Sequence, residues 1–177
     1  MLTTILIVIV AALIVIILMA SRQPDNFHVE RSATIDAAAE RIFPLLEDFR
    51  RWPEWSPWEK LDPAMKKDFG GPETGVGSWM SWDGNKKAGQ GRMEIIESEP
   101  TSRLRLKLDF IKPFKSNNVT TFVLAPRNGT TDVRWLMDGP ATFPTKVMTV
   151  FTSMDKLVGK DFEEGLANLK RQTEGRA

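Results

Sequence analysis

The first twenty residues, MLTTILIVIVAALIVIILMA, hold no charged side chain, and from Ile5 to Ala20 there is no polar one either. A helix rises about 1.5 Å per residue, so this run spans roughly 30 Å, the hydrocarbon thickness of a bilayer. Thirteen of the twenty are Leu, Ile or Val, each favouring insertion by about 0.3–0.6 kcal/mol near the membrane centre. A helix packed into a soluble core keeps a polar stripe, and this one has none. A cleaved secretory signal calls for basic residues ahead of a shorter apolar run and small residues before the cut. Here no Lys or Arg precedes Arg22, and Leu18 fills the −3 position of a cut after Ala20. Residues 1–20 therefore read as an uncleaved, single-pass transmembrane anchor. Arg22, directly after it, puts the rest of the chain on the cytoplasmic side by the positive-inside rule. Residues 21–26 form a linker reaching at most roughly 20 Å, so a domain over residues 27–174 is held close to the membrane.

Every charge lies beyond the anchor, 24 basic against 23 acidic. That balance argues against nucleic acid, whose phosphates call for a strongly basic face. With no Cys there is no disulfide framework or thiol chemistry, and with His28 the only histidine a multi-His metal site is excluded. The expectation is no metal and no cofactor; oligomeric state is not legible.

Along the domain, Phe27–Ile35 reads as a strand and Asp36 as the N-cap of a following helix. Pro44 lies inside that helix and predicts a kink or early break. From Met65 the pattern changes to period two. Asp83-Gly84 signals a hairpin between 78–82 and 91–95. In 103–110 the leucines and Phe110 share one face while Arg103, Arg105, Lys107 and Asp109 share the other. Val119–Leu124, a turn at Asn128-Gly129 and Thr131–Met137 complete a curved antiparallel sheet with one wet and one dry face. Asn118-Val119-Thr120 matches a glycosylation sequon but reads as strand or turn. Val147, Phe151, Met154, Val158, Phe162, Leu166 and Leu169 recur at helical spacing, with Gly159 as a possible break. The fold class is α+β: strand, helices, antiparallel sheet, then a long C-terminal helix across the dry face.

Half of the six tryptophans fall in RWPEWSPWE, as Trp52, Trp55 and Trp58, separated by Pro53 and Pro57. A spacing of three suits a 3₁₀ turn or a polyproline segment, either of which stacks the indoles on one side of a stiff rail. Three readings are open: a plug at one end of the core, the lining of a ligand entrance, or contact with the membrane interface.

The strand ending in SATI, the segment DFRRWPEWSPWEKLDP, MDGP and MDKLVGKDFEEGLANLK together resemble the START-like SRPBCC superfamily, within it the bacterial polyketide cyclase/dehydrase and lipid-transport group. The likeness covers residues 27–174. It implies a helix-grip fold, in which a seven-stranded sheet wraps the C-terminal helix around an apolar cavity for a lipid or other hydrophobic small molecule. The residues expected to meet that ligand are Trp52, Trp55, Trp58, Trp79, Leu106, Leu108, Phe110, Phe122, Trp135, Met137, Phe162 and Leu166. Either Trp79 or Met80 faces inward, and the dry face is otherwise apolar, so packing alone leaves open whether it is filled or hollow. Arg31 shares parity with Val29 and Ala33, and an inward charge marks either a structural ion pair or a ligand headgroup contact. Glu54 and Glu59 flank the rail, where solvated surface is the favoured reading over a place at the cavity mouth. Glu94, Glu97, Asp109, Asp132 and Asp138 fall on the wet parity, so no catalytic residue is assigned. An enzyme acting on a lipophilic substrate and a protein-interaction module using the same groove stand as alternatives to a binding protein.

Overall fold

A computed structural model describes residues 1–174. Helix α1 (Leu2–Ser21) is the one helix among the described residues long and apolar enough to cross a membrane. Only residues 22–25 separate it from strand β1 (Asn26–Ile35). Helix α2 (Ala39–Glu47) leads into two 3₁₀ turns, Phe49–Glu54 and Pro57–Lys60. Six further strands follow: β2 (Lys66–Gly70), β3 (Trp79–Asp83), β4 (Gln90–Glu99), β5 (Arg103–Lys112), β6 (Ser116–Arg127) and β7 (Thr130–Pro140). Helices α3 (Phe143–Thr149) and α4 (Met154–Glu174) close the chain.

The seven strands form one open antiparallel sheet in the order β1-β7-β6-β5-β4-β3-β2. A register shift in β4 between Ile95 and Glu97 bends the sheet, as an extra residue in one strand must. The period-two faces of β5 and β7 emerge as expected, with Leu104, Leu106, Val133 and Trp135 buried on the concave side. Arg103, Arg105 and Lys107 stand outside and pair with Glu97 and Asp109 at 2.7, 3.0 and 2.8 Å. Helix α4 fills the concavity, with Phe162, Leu166 and Leu169 buried against the sheet. No α1 residue belongs to the core cluster, so a chain beginning near residue 24 retains everything that holds the sheet and α4 together.

Four local expectations are corrected. The cap of α2 is Ala38, without a side-chain bond; the Asp36 N–H instead donates to Glu174 at 2.6 Å, because the chain turns over the end of α4 before starting the helix. Pro44 does end α2 within one turn, at Glu47. Asp83-Gly84 is not a two-residue turn. Residues 84–89 form a longer loop, organised by Asp62 accepting from the Asn85 N–H at 2.7 Å and closed at Gly89, whose φ is 67°. The C-terminal stripe breaks at residues 150–153 rather than at Gly159. Gly159 lies buried inside α4, where a Cβ would collide with the Arg31 guanidinium. Trp79, opposite Glu94 on β4, lies on the outer face under Arg92 at 4.2 Å, and Met80 is the inward residue.

On the sheet's edge His28 faces Asp138 across β1 and β7, Nδ1 to carboxylate 2.7 Å. That hydrogen bond holds the imidazole pKa above its ordinary value. A raised folded-state pKa means the contribution to stability is complete below the unfolded value, about 6.5, and is lost as pH rises through the folded one. The single histidine of residues 24–177 is therefore expected to titrate by NMR above about 6.5, and Asp138→Asn should return it toward that value. An unchanged midpoint in that variant would show the pair is not formed in solution.

Candidate functional site

The inner face of the sheet is filled along one half and hollow along the other. Where β1, β5 and β7 approach residues 35, 104 and 133, Ile35, Leu104, Ile95, Phe122 and Val133 leave no accessible surface. Toward the opposite end the side chains part around a cavity of about 390 Å³, within the range of small-molecule sites. Its floor is Met80, Trp82, Met93, Leu108, Phe110, Trp135 and Met137 from the sheet. Trp52, Trp58 and Leu61 form one side, Met154, Val158 and Phe162 of α4 another, and Phe114 and Met148 the rim.

The tryptophan segment divides between these roles. Trp52 and Trp55 are fully buried, their indole N–H groups donating to Leu46 O at 3.0 Å and Leu45 O at 2.8 Å. Those bonds satisfy carbonyls left over at the end of α2, where Pro44 and the short helix leave acceptors unpaired. Trp58 sits one turn further on, half-buried, with Nε1 donating to Asp161 at 3.1 Å. Trp135 ties the set together: it stacks on Phe162 at 4.1 Å and meets Trp55 and Trp58 edge-on at 5.5 Å. Gly165 lets α4 come this close, since a Cβ there would lie 2.6 Å from the Trp135 ring.

Of the residues expected to meet a ligand, Trp52, Trp58, Leu108, Phe110, Trp135, Met137 and Phe162 line the cavity. Trp55, Leu106, Phe122 and Leu166 stand behind its wall in the filled half, where their neighbours' volumes leave no gap, and Trp79 is on the far side of the sheet. Arg31 turns toward α4, not into the cavity. Its guanidinium pairs with Asp155 at 2.6 Å and Glu163 at 2.7 Å, which raises its pKa further. It takes the ion-pair reading.

Glu59 overturns the surface reading. The residue lines the cavity, and its carboxylate pairs with Lys67 of β2, the two side chains being 14% and 16% exposed. Glu54, paired with Arg51 at 2.9 Å, is not in the wall. Ser116, Asn118 and Thr120 also line the cavity, with the Ser116 hydroxyl donating to Asn118 Oδ1 at 2.9 Å. Their shared parity with Phe122 was the available signal for them. Asp161 was visible only as one of several α4 carboxylates. The Trp135 N–H is buried and lacks a hydrogen-bond acceptor, a state costing about 1–3 kcal/mol unless something supplies one. Among the described residues no group of three or more His, Asp or Glu could hold a metal ion.

Solved structures share this architecture. A protein from Mesorhizobium loti aligns with a TM-score of 0.63 at 18% identity, over 85% of this chain and 99% of its own. The Aha1 dimer from Colwellia psychrerythraea gives 0.60 at 17% identity, over 85% and 99%. A Chromobacterium violaceum protein gives 0.59 at 17%, over 86% and 99%. At these identities the likeness concerns the fold alone. No curated protein matches the chain. Residues 26–174, from the first strand to the last described turn of α4, match the family described as polyketide cyclase / dehydrase and lipid transport, and with its seven-stranded sheet gripping α4 around an apolar cavity the chain belongs to that family.

Proposed function

We propose that this protein is a membrane-anchored binding protein that holds a hydrophobic small molecule or lipid between the sheet and α4. The carrying observation is the 390 Å³ cavity itself, walled by Trp58, Trp82, Met93, Leu108, Phe110 and Met137. Burying apolar ligand surface against such walls contributes about 25 cal/mol per Å². The Asn118 amide and the Thr120 hydroxyl offer a polar end of the ligand hydrogen-bond partners. The family description includes lipid transport, and α1 supplies a span of the right length. Anchoring on the cytoplasmic side follows from Arg22.

Native mass spectrometry of the detergent-extracted full chain is expected to show a co-purified lipophile, displaceable by an environment-sensitive apolar probe. Extraction of apoprotein only, with no probe binding, would refute the reading. The chain should also stay with membranes after alkaline carbonate washing.

A second reading rests on Glu59 and Asp161 in the wall. Two carboxylates beside an apolar cavity are what an acid–base enzyme on a polyketide-like substrate would use, and such groups contribute about 10²–10⁴ in rate. A turnover whose maximal rate falls a hundredfold in Glu59→Gln or Asp161→Asn, with affinity unchanged, would favour it.

A further inference from the structure

The antiparallel register places the loops at two opposite ends of the sheet. One end collects the start of β1 at Asn26, the end of β7 at Pro140, the 84–89 loop and the β5–β6 connection. The cavity reaches this end, through Lys87, Ala88, Phe114 and Met148. It is also the end at which α1 joins the domain. The connection is short: residues 22–25 reach at most roughly 14 Å. It is also clamped, with the Ala141 N–H donating to Asp25 O at 2.7 Å and Lys146 Nζ to the Asp25 carboxylate at 2.5 Å. The last turn of α1 is itself in contact, Ala20 being fully buried and α1 packing on α3.

At this end three large apolar side chains stand exposed: Phe114 on the cavity rim at 60%, and Phe143 at 56% and Phe151 at 73% in and just after α3, whose Thr145 and Met148 line the cavity. Three exposed aromatics at the end of the domain that carries α1 mark an interaction surface rather than scattered surface residues. The connections there lean basic. Residues 84–89 and 111–116 carry Lys86, Lys87, Lys112 and Lys115 and no carboxylate; of the carboxylates at this end, Asp25 is paired with Lys146 and Asp62 accepts from the Asn85 N–H, leaving Asp83 at the end of β3. The basic strand residues Arg103, Arg105 and Lys107 are already neutralised by neighbours. Apolar side chains ringed by lysines suit the boundary between acyl chains and anionic headgroups.

We propose that this end of the domain docks on the surface of an anionic lipid leaflet. Phe114, Phe143 and Phe151 enter the headgroup–acyl boundary and the four loop lysines meet the phosphates. The mouth then opens on the bilayer, and a membrane-resident lipophile passes into the cavity without crossing water. This rests on the reading of α1 as an anchor.

The chain has no Cys, so single labels are clean. The full-length protein, one copy per nanodisc, would carry an environment-sensitive fluorophore at Phe114→Cys, Phe143→Cys or Phe151→Cys. The control is Val76→Cys, 59% exposed in the β2–β3 connection at the other end. In phosphatidylcholine discs containing phosphatidylserine and nitroxide-labelled lipid, the three rim labels should shift to the blue. They should be quenched several-fold more than the control, and less so in phosphatidylcholine alone. Rim labels as wet and unquenched as the control would overturn the proposal. So would shielding that ignores the nitroxide and needs a second copy, the sign of a dimer face, or a chain that does not enter discs at all. Phe143→Asp/Phe151→Asp, neither of which lines the cavity, should still bind the apolar probe in detergent but acquire it from vesicles at least tenfold more slowly. Loss of probe binding with rim quenching intact would defeat the binding reading and leave docking standing.

Discussion

Trp55→Ala is expected to lower the stability of the domain by about 3–5 kcal/mol, the range for truncating a large buried aromatic. The whole domain is worth only about 5–15 kcal/mol, so the variant sits near the edge of folding. The indole is fully buried, in contact with Trp52 at 5.0 Å, Trp135 at 5.5 Å and Phe122 at 6.0 Å. Its removal leaves a void those rigid rings cannot close, and strips the Leu45 carbonyl of its donor. The Trp55 backbone carbonyl accepts from Asn168 at 2.8 Å, so the same residue also ties the 3₁₀ segment to α4. In urea, with a slope of about 2 kcal/mol/M, the midpoint of residues 24–177 should fall by roughly 2 M. Trp58→Ala, which trims a half-buried ring at the cavity wall, should cost far less stability and weaken probe binding instead. If the two variants lose stability alike, the division of the tryptophan segment into plug and wall is wrong.

The second large effect is on binding. Leu108→Trp combined with Met137→Trp places two indoles into space that is now empty. Probe affinity should drop tenfold or more while the urea midpoint changes little. The contrasting variant is Leu106→Trp, two residues earlier on the same face of the same strand. There the core is already filled, so the larger ring should cost about 1–3 kcal/mol through overpacking and leave the cavity's affinity near its original value. Affinity that survives the double variant would mean the ligand lies elsewhere.

Residues two apart on one strand thus have different fates, and that marks the limit of what pattern shows. The alternation in 103–110 and 131–137 identified which side chains point inward, because a strand's side chains alternate by covalent geometry alone. The spacing of three in Trp52, Trp55 and Trp58 suited a 3₁₀ turn or a polyproline segment alike, and the chain takes two 3₁₀ turns, Phe49–Glu54 and Pro57–Lys60. Arg31's inward parity was legible too, although its partners Asp155 and Glu163, more than a hundred residues away, were not. The same local logic left Trp79 and Met80 open, and the structure turns Met80 inward. The reading of Glu59 as surface failed because its partner Lys67 comes from β2, which the sheet brings beside the second 3₁₀ turn.

What the chain alone determines is what depends on neighbours in sequence: a span of bilayer length in residues 1–20, alternating strands, and an α4 stripe through Phe162, Leu166 and Leu169. What only the tertiary structure decides is volume. Leu106 and Leu108 are the same residue on the same face. Leu106 lies in the filled half with no accessible surface, while Leu108 lines the cavity. Whether a cavity exists depends on the summed sizes of side chains brought together from every strand and from α4. That sum has no period along the sequence, so it becomes readable only once the sheet has closed around the helix.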